Sequence, residues 1–133
     1  MSLSARRVLA DTNIPVSAFI FPSSVPDQAL QHILSFDRLV LTNWILEEFD
    51  RIIETKWPER IEAARTMIAA LKYELAEPTA IELQISDPNG QPILEAAVTS
   101  AVDIIVTGDK RFFALELARP QIVTARQFLS SLT

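Results

Sequence analysis

The sequence predicts an α/β domain: a three-layer α/β/α fold with a mostly parallel central sheet. Three observations carry this. Short apolar runs alternate with amphipathic stretches of helical period along the whole chain. The runs are continuously apolar, as strands covered on both faces are. The chain has 133 residues, of which 49% are apolar and 22% charged, enough for one buried core and too little for two. A single domain over residues 1–133 is expected.

Residues 7–10 form the first apolar run, with Val8, Leu9 and Ala10 inside, and end at Asp11. Asp11, Thr12 and Asn13 supply helix-capping chemistry ahead of a short helix over 14–21. Pro22, Ser23 and Ser24 break it. Pro26 suits a first helical turn, and Asp27 complements the helix dipole. Ala29, Leu30, Ile33, Leu34 and Phe36 continue that helix to about residue 36. Residues 38–41 read as a second buried strand, and Thr42 caps a helix carrying Ile45, Leu46, Phe49, Ile52 and Ile53. Pro58 interrupts, and a further helix follows with Ile61, Ala64, Met67, Ile68 and Leu71. Residues 73–76 are a weak strand signal, and 77–89, with Pro78 and Pro88, a polar loop. A helix is predicted over 92–100, and the strongest strand over 103–107, where Ile104, Ile105 and Val106 are all β-branched. Gly108 and Asp109 end it. A short helix over 112–117, a strand over 121–123 and a last helix capped by Thr124 complete the chain.

Composition excludes several functions. Without cysteine there is no disulfide, thiolate nucleophile or Cys-ligated metal, and one histidine, His32, rules out two-histidine metal sites. His32 reads as a helix-surface residue without a catalytic part. The two glycines, Gly90 and Gly108, leave no phosphate-cradling loop. The net charge of −5 argues against a generally basic nucleic-acid surface, although carboxylates holding Mg²⁺ invert the local charge. No apolar run is long enough to span a membrane, and residues 1–7 lack the apolar stretch of a signal peptide, so a cytoplasmic protein is expected.

In parallel α/β sheets, ligands bind beyond the carboxyl ends of the strands. Asp11 and Asp109 fall at two such ends, and Thr12, Asn13 and Thr107 add neutral oxygens beside them. Either aspartate alone reads as a helix cap; both at equivalent ends of buried strands point to a site. Glu47 and Glu48, from the residues alone, read as solvated acids, with Glu47 four residues before Arg51.

Several segments resemble the PIN domain family. These are Val8-Leu9-Ala10-Asp11-Thr12-Asn13, Ser17-Ala18, the stretch from Leu41 to Phe49, Ile93-Leu94-Glu95-Ala96-Ala97, and Ile105-Val106-Thr107-Gly108-Asp109-Lys110. Their order is similar to that of the VapC-like toxin components of toxin–antitoxin systems, and the likeness covers nearly the whole chain. It implies a parallel sheet flanked by helices and cleavage of RNA with Mg²⁺ or Mn²⁺. The family's acids fall on Asp11, Glu48 and Asp109, which the resemblance makes catalytic and metal-binding, with Thr12, Asn13 and Thr107 in support. It further implies a cognate antitoxin protein as partner.

One position departs. Where the family carries a further acid at the start of the helix leading to Ala97, this chain has Gly90. Asp87 is the nearest possible substitute ligand, although a helix-capping or solvated role suits it better. Crowded carboxylates repel one another until a hard cation joins them, so losing one weakens the metal site more than the fold. Arg51, Lys110 and Arg111 are candidate RNA contacts, as are Arg6 and Arg7; each has acids nearby with which to pair instead. Trp44 and Trp57 suit a core or subunit contact better than base stacking. Surplus apolar residues over 14–21 and 29–36, among them Phe19, Phe21 and Phe36, predict a homodimer, the alternative being that they complete the monomer core. A receiver-type domain would need an acid pair after the first strand, and a D-x-D phosphohydrolase an aspartate where Asn13 stands. The primary expectation is a metal-dependent endoribonuclease weakened at Gly90. The alternative is a catalytically reduced PIN-like module that binds RNA or a protein partner.

Overall fold

The runs of β-branched and aliphatic residues become strands covered on both faces. The computed structural model describes residues 5–78, 81, 84–86, 88, 90–115 and 117–131. Strand β1 (Arg7–Ala10) buries Val8, Leu9 and Ala10 completely. It lies between β2 (Arg38–Thr42) and β4 (Ile104–Val106), with β3 (Glu74–Ala76) beyond β2 and β5 (Gln121–Val123) beyond β4. The sheet order is β3-β2-β1-β4-β5 and every pairing is parallel. Leu9 lies opposite Val40 on one side and Ile105 on the other.

From β1 the chain first builds outward through β2 and β3, then crosses back to build β4 and β5 on the other side. The direction reverses between β1 and β4. That junction is the topological switch point, where the connections leaving neighbouring strand ends diverge and open a crevice.

The helices start where local chemistry satisfies their first N–H groups. Ser24 accepts from the Asp27 N–H at the start of α2 (Val25–Phe36), with Pro26 in its first turn. Thr42 accepts from the Ile45 N–H, 3.0 Å, to open α3 (Asn43–Lys56). Thr124 and Gln127 form a reciprocal capping box for α7 (Ala125–Ser130). Helix α1 (Asn13–Ile20) begins without a side-chain cap. After a 3₁₀ turn at Pro58–Arg60 comes α4 (Ile61–Ala70), and α5 (Gln91–Thr99) precedes β4. The helix expected over 112–117 is instead α6 (Lys110–Phe113), because the Asp109 side chain caps it from two residues upstream of Arg111.

Helix α1 packs on α2 and α3, α3 on α4 and α5, and α2 on α7. One cluster centred on the strands takes in Leu30, Ile33, Leu94, Phe112 and Phe128. A second, of Val16, Phe49, Ile53 and Ala64, sits among α1, α3 and α4 and absorbs Phe19, Ile20, Trp57 and Met67. Much of the apolar surplus of α1 therefore completes the monomer core, whereas Phe21 and Phe36 stay 57% and 70% exposed. Trp44 packs against the main cluster. His32 is not a plain surface residue: its ring lies 4.7 Å from that of Phe36 and meets Phe128 edge-on at 5.6 Å.

Candidate functional site: a carboxylate cavity at the switch point

Strand β1 delivers Asp11 and β4 delivers Thr107, and one hydrogen bond ties them together. The Asp11 N–H continues the ladder to the Val106 carbonyl at 3.0 Å. Thr107 is fully buried; its hydroxyl donates to Asp11 Oδ2 at 2.7 Å and accepts the Asp109 N–H at 3.0 Å. A hydroxyl can do both at once, so Thr107 sets the spacing between the two aspartates. Asp11 Oδ1 accepts the Thr12 N–H at 2.7 Å.

Asp11, Asn13, Glu48, Gly90, Asp109 and Arg111 line a cavity of about 230 Å³, with Ile93 and Phe112 on its apolar side. Helix α3 contributes Glu48 and the start of α5 contributes Gly90. The fold thus brings the three carboxylates of the sequence reading to one cavity. Thr12 is buried beside Asp11, and its hydroxyl has no hydrogen-bond partner among the described residues. Asp87 lies outside the described residues.

The two aspartates are in opposite electrostatic states. Asp11 is 6% exposed, and burial pushes its carboxyl up. Thr107 and Thr12 oppose that through hydrogen bonds, while the charges of Glu48 and Asp109 add to it. Asp109 is held below the ordinary carboxylate value, chiefly by the Arg111 side chain and then by the Arg111 N–H. The Arg111 guanidinium spans both oxygens, Nε to Oδ1 at 3.0 Å and Nη2 to Oδ2 at 3.1 Å, and its backbone N–H reaches Oδ1 at 2.9 Å.

Mg²⁺ and Mn²⁺ need oxygens that converge on one point. Among the described residues, no group of three or more His, Asp or Glu side chains stands close enough to hold a metal ion. Asp11 points its oxygens at Thr107 and Thr12, Asp109 is forked by Arg111, and Gly90 brings no side chain. Among the described residues, the donors as arranged do not fit a divalent cation.

The other candidates divide. Arg111 belongs to the cavity, but on an acid. Lys110 is exposed beside it. Arg51 lies over the Trp44 ring at 5.8 Å and, among the described residues, makes no ion pair with Glu47. Arg6 and Arg7 are corrected: they stand at the amino ends of the strands, away from the cavity. Arg6 pairs with Asp37 at 3.0 Å and Arg7 with Glu74 at 2.7 Å. Sequence reasoning left Arg111 a nearby acid to pair with but did not single out the fork on Asp109. Its signal was a cation two residues after a capping aspartate, close enough for one side chain to use the other's cap geometry.

A parallel sheet whose switch point opens on three acids defines an α/β protein with an acidic ligand crevice. The chain belongs to the PIN domain family, whose model matches residues 7–111. No curated protein matches the sequence. A solved structure, VapBC2 from Rickettsia felis bound to a DNA fragment from its promoter, is similar in fold. The TM-score is 0.67 at 17% identity, over 88% of this chain and 96% of that one. Among the described residues, no helix is long and apolar enough to cross a membrane.

Proposed function

We propose that this protein is a catalytically reduced PIN module whose acidic cavity binds a protein partner through a basic side chain. One observation carries the reading: Asp109, a carboxylate of the cavity, already holds a guanidinium, that of Arg111, and among the described residues the acids do not converge to hold a metal ion. A net charge of −5 favours the same class of partner, since phosphate is repelled where no divalent cation intervenes. The likeness to a VapBC2 complex supports an antitoxin-type protein as that partner.

The second reading is the family's metal-dependent endoribonuclease, acting on RNA with Mg²⁺ or Mn²⁺. It is favoured by Asp11, Glu48 and Asp109 lining one cavity. Asp11, Glu48 and Asp109 would carry that chemistry, with Thr12, Asn13 and Thr107 in support.

A ribonuclease assay on single-stranded and structured RNA, with Mn²⁺ titrated, separates the two. The reduced reading expects wild type and Asp11→Asn to show the same background, and Gly90→Asp to gain Mn²⁺-dependent cleavage. Gly90 has φ −85°, a conformation open to any L-residue, so the aspartate is compatible with the backbone. Cleavage by wild type that Asp11→Asn abolishes would instead establish the nuclease.

A further inference from the structure

Arg111 is more than the partner of a helix cap. It lines the cavity itself, and its guanidinium takes both oxygens of the one carboxylate that β4 supplies there. The pairing is pre-organised: the Arg111 backbone N–H already orients the Asp109 carboxylate at 2.9 Å, so the side chain closes onto a fixed target. Bidentate guanidinium–carboxylate pairs are among the stronger charge-assisted contacts. A cation entering the cavity must either displace Arg111 or manage without Asp109. Asp11 already accepts from Thr107 and Thr12 and position 90 has no side chain, so Glu48 is the acid of the lining left to compensate.

We propose that Arg111 is the resident counter-ion of the acidic cavity, an autoinhibitory contact that holds Asp109 away from divalent cations and keeps the cavity poor in metal. The inference rests on the reduced-pocket reading above and names the residue that enforces it. It also turns Arg111 from a candidate phosphate contact into a competitor for the carboxylates.

The test uses Mn²⁺ alone, with binding followed by the loss of the free-ion electron paramagnetic resonance signal. Full-length wild type is compared with Arg111→Gln, Arg111→Lys and the double variant Arg111→Gln/Asp109→Asn, each checked for fold by circular dichroism. Arg111→Gln should bind Mn²⁺ about tenfold or more tightly than wild type, the scale on which groups oriented around a metal site act. Arg111→Lys, which keeps the charge but loses the fork, should gain less. The double variant should return to the wild-type level. The proposal is overturned if Arg111→Gln binds no better than wild type, or if the double variant keeps the gain, because the added ion then sits elsewhere. Equal weak binding by wild type and Arg111→Gln removes the role of Arg111 and leaves the reduced pocket standing. Equal tight binding removes both.

Discussion

Removing the Thr107 hydroxyl should damage the protein out of proportion to its size. Thr107 is fully buried between the two aspartates, donating to Asp11 at 2.7 Å and accepting from the Asp109 N–H at 3.0 Å. Thr107→Val keeps the volume and the β-branched shape, so no cavity contributes. A hydrogen bond to a charged group is worth about 1.5–3 kcal/mol and a neutral one about 0.5–1.5, and a buried acceptor left unpaired forfeits the full amount. The sum is a loss of about 2–4.5 kcal/mol, a large share of the roughly 5–15 kcal/mol that holds a domain together. Urea unfolding followed by the fluorescence of Trp44 and Trp57 measures it. Thr107→Ser is the control: it retains the hydroxyl and loses one methyl, at about 1 kcal/mol. If Thr107→Val is no less stable than Thr107→Ser, the hydroxyl is not the tie between β1 and β4, and the description of the cavity fails.

Asp11→Asn should flatten the pH dependence of stability above the ordinary carboxylate range. Burial raises the folded-state pKa of Asp11 above its unfolded value, so the folded state holds the proton more tightly, and stability falls as pH rises from the ordinary carboxylate value through the raised one. Asparagine removes that pH dependence while forfeiting one of the two accepted hydrogen bonds; a variant whose stability falls with pH as steeply as that of wild type would contradict it. Glu74 has the opposite sign, since Arg7 lowers its pKa. Its contribution is present above the ordinary carboxylate value and lost as pH falls through the lowered one. Glu74→Gln should therefore cost about 0.5–1 kcal/mol at neutral pH and nothing in acid, and a pH-independent cost in urea melts would refute the ion pair's role. Homodimerisation through the exposed Phe21 or Phe36 is expected, with Phe21→Ser or Phe36→Ser shifting light scattering towards the monomer; a monomeric wild type at micromolar concentration would refute it.

The architecture was legible because the strands other than β3 carry their own local signatures. Ile104, Ile105 and Val106 announce β4, and the Thr42 and Thr124 caps mark α3 and α7 at the right residues. The start of α6 was not legible, because the apolar period begins at Phe112 whereas the helix begins at Lys110, where the Asp109 side chain permits it. Asp11 and Asp109 could be placed at strand ends from the pattern alone, and Glu48 could not: without the family's register it is one of two adjacent acids on a helix. What the carboxylates do with their oxygens was invisible for a physical reason. The direction of a lone pair depends on rotamers and on partners such as Thr107, some 96 positions away in the chain from Asp11, and hydrophobic period carries neither.

Crystals soaked in Mn²⁺ and measured at the metal's anomalous edge test the central claim most directly. The account predicts no ordered Mn²⁺ between Asp11, Glu48 and Asp109 in the wild-type protein, with the Arg111 guanidinium still forked on Asp109. An ordered Mn²⁺ bound by these three carboxylates, with Arg111 swung away, would contradict it.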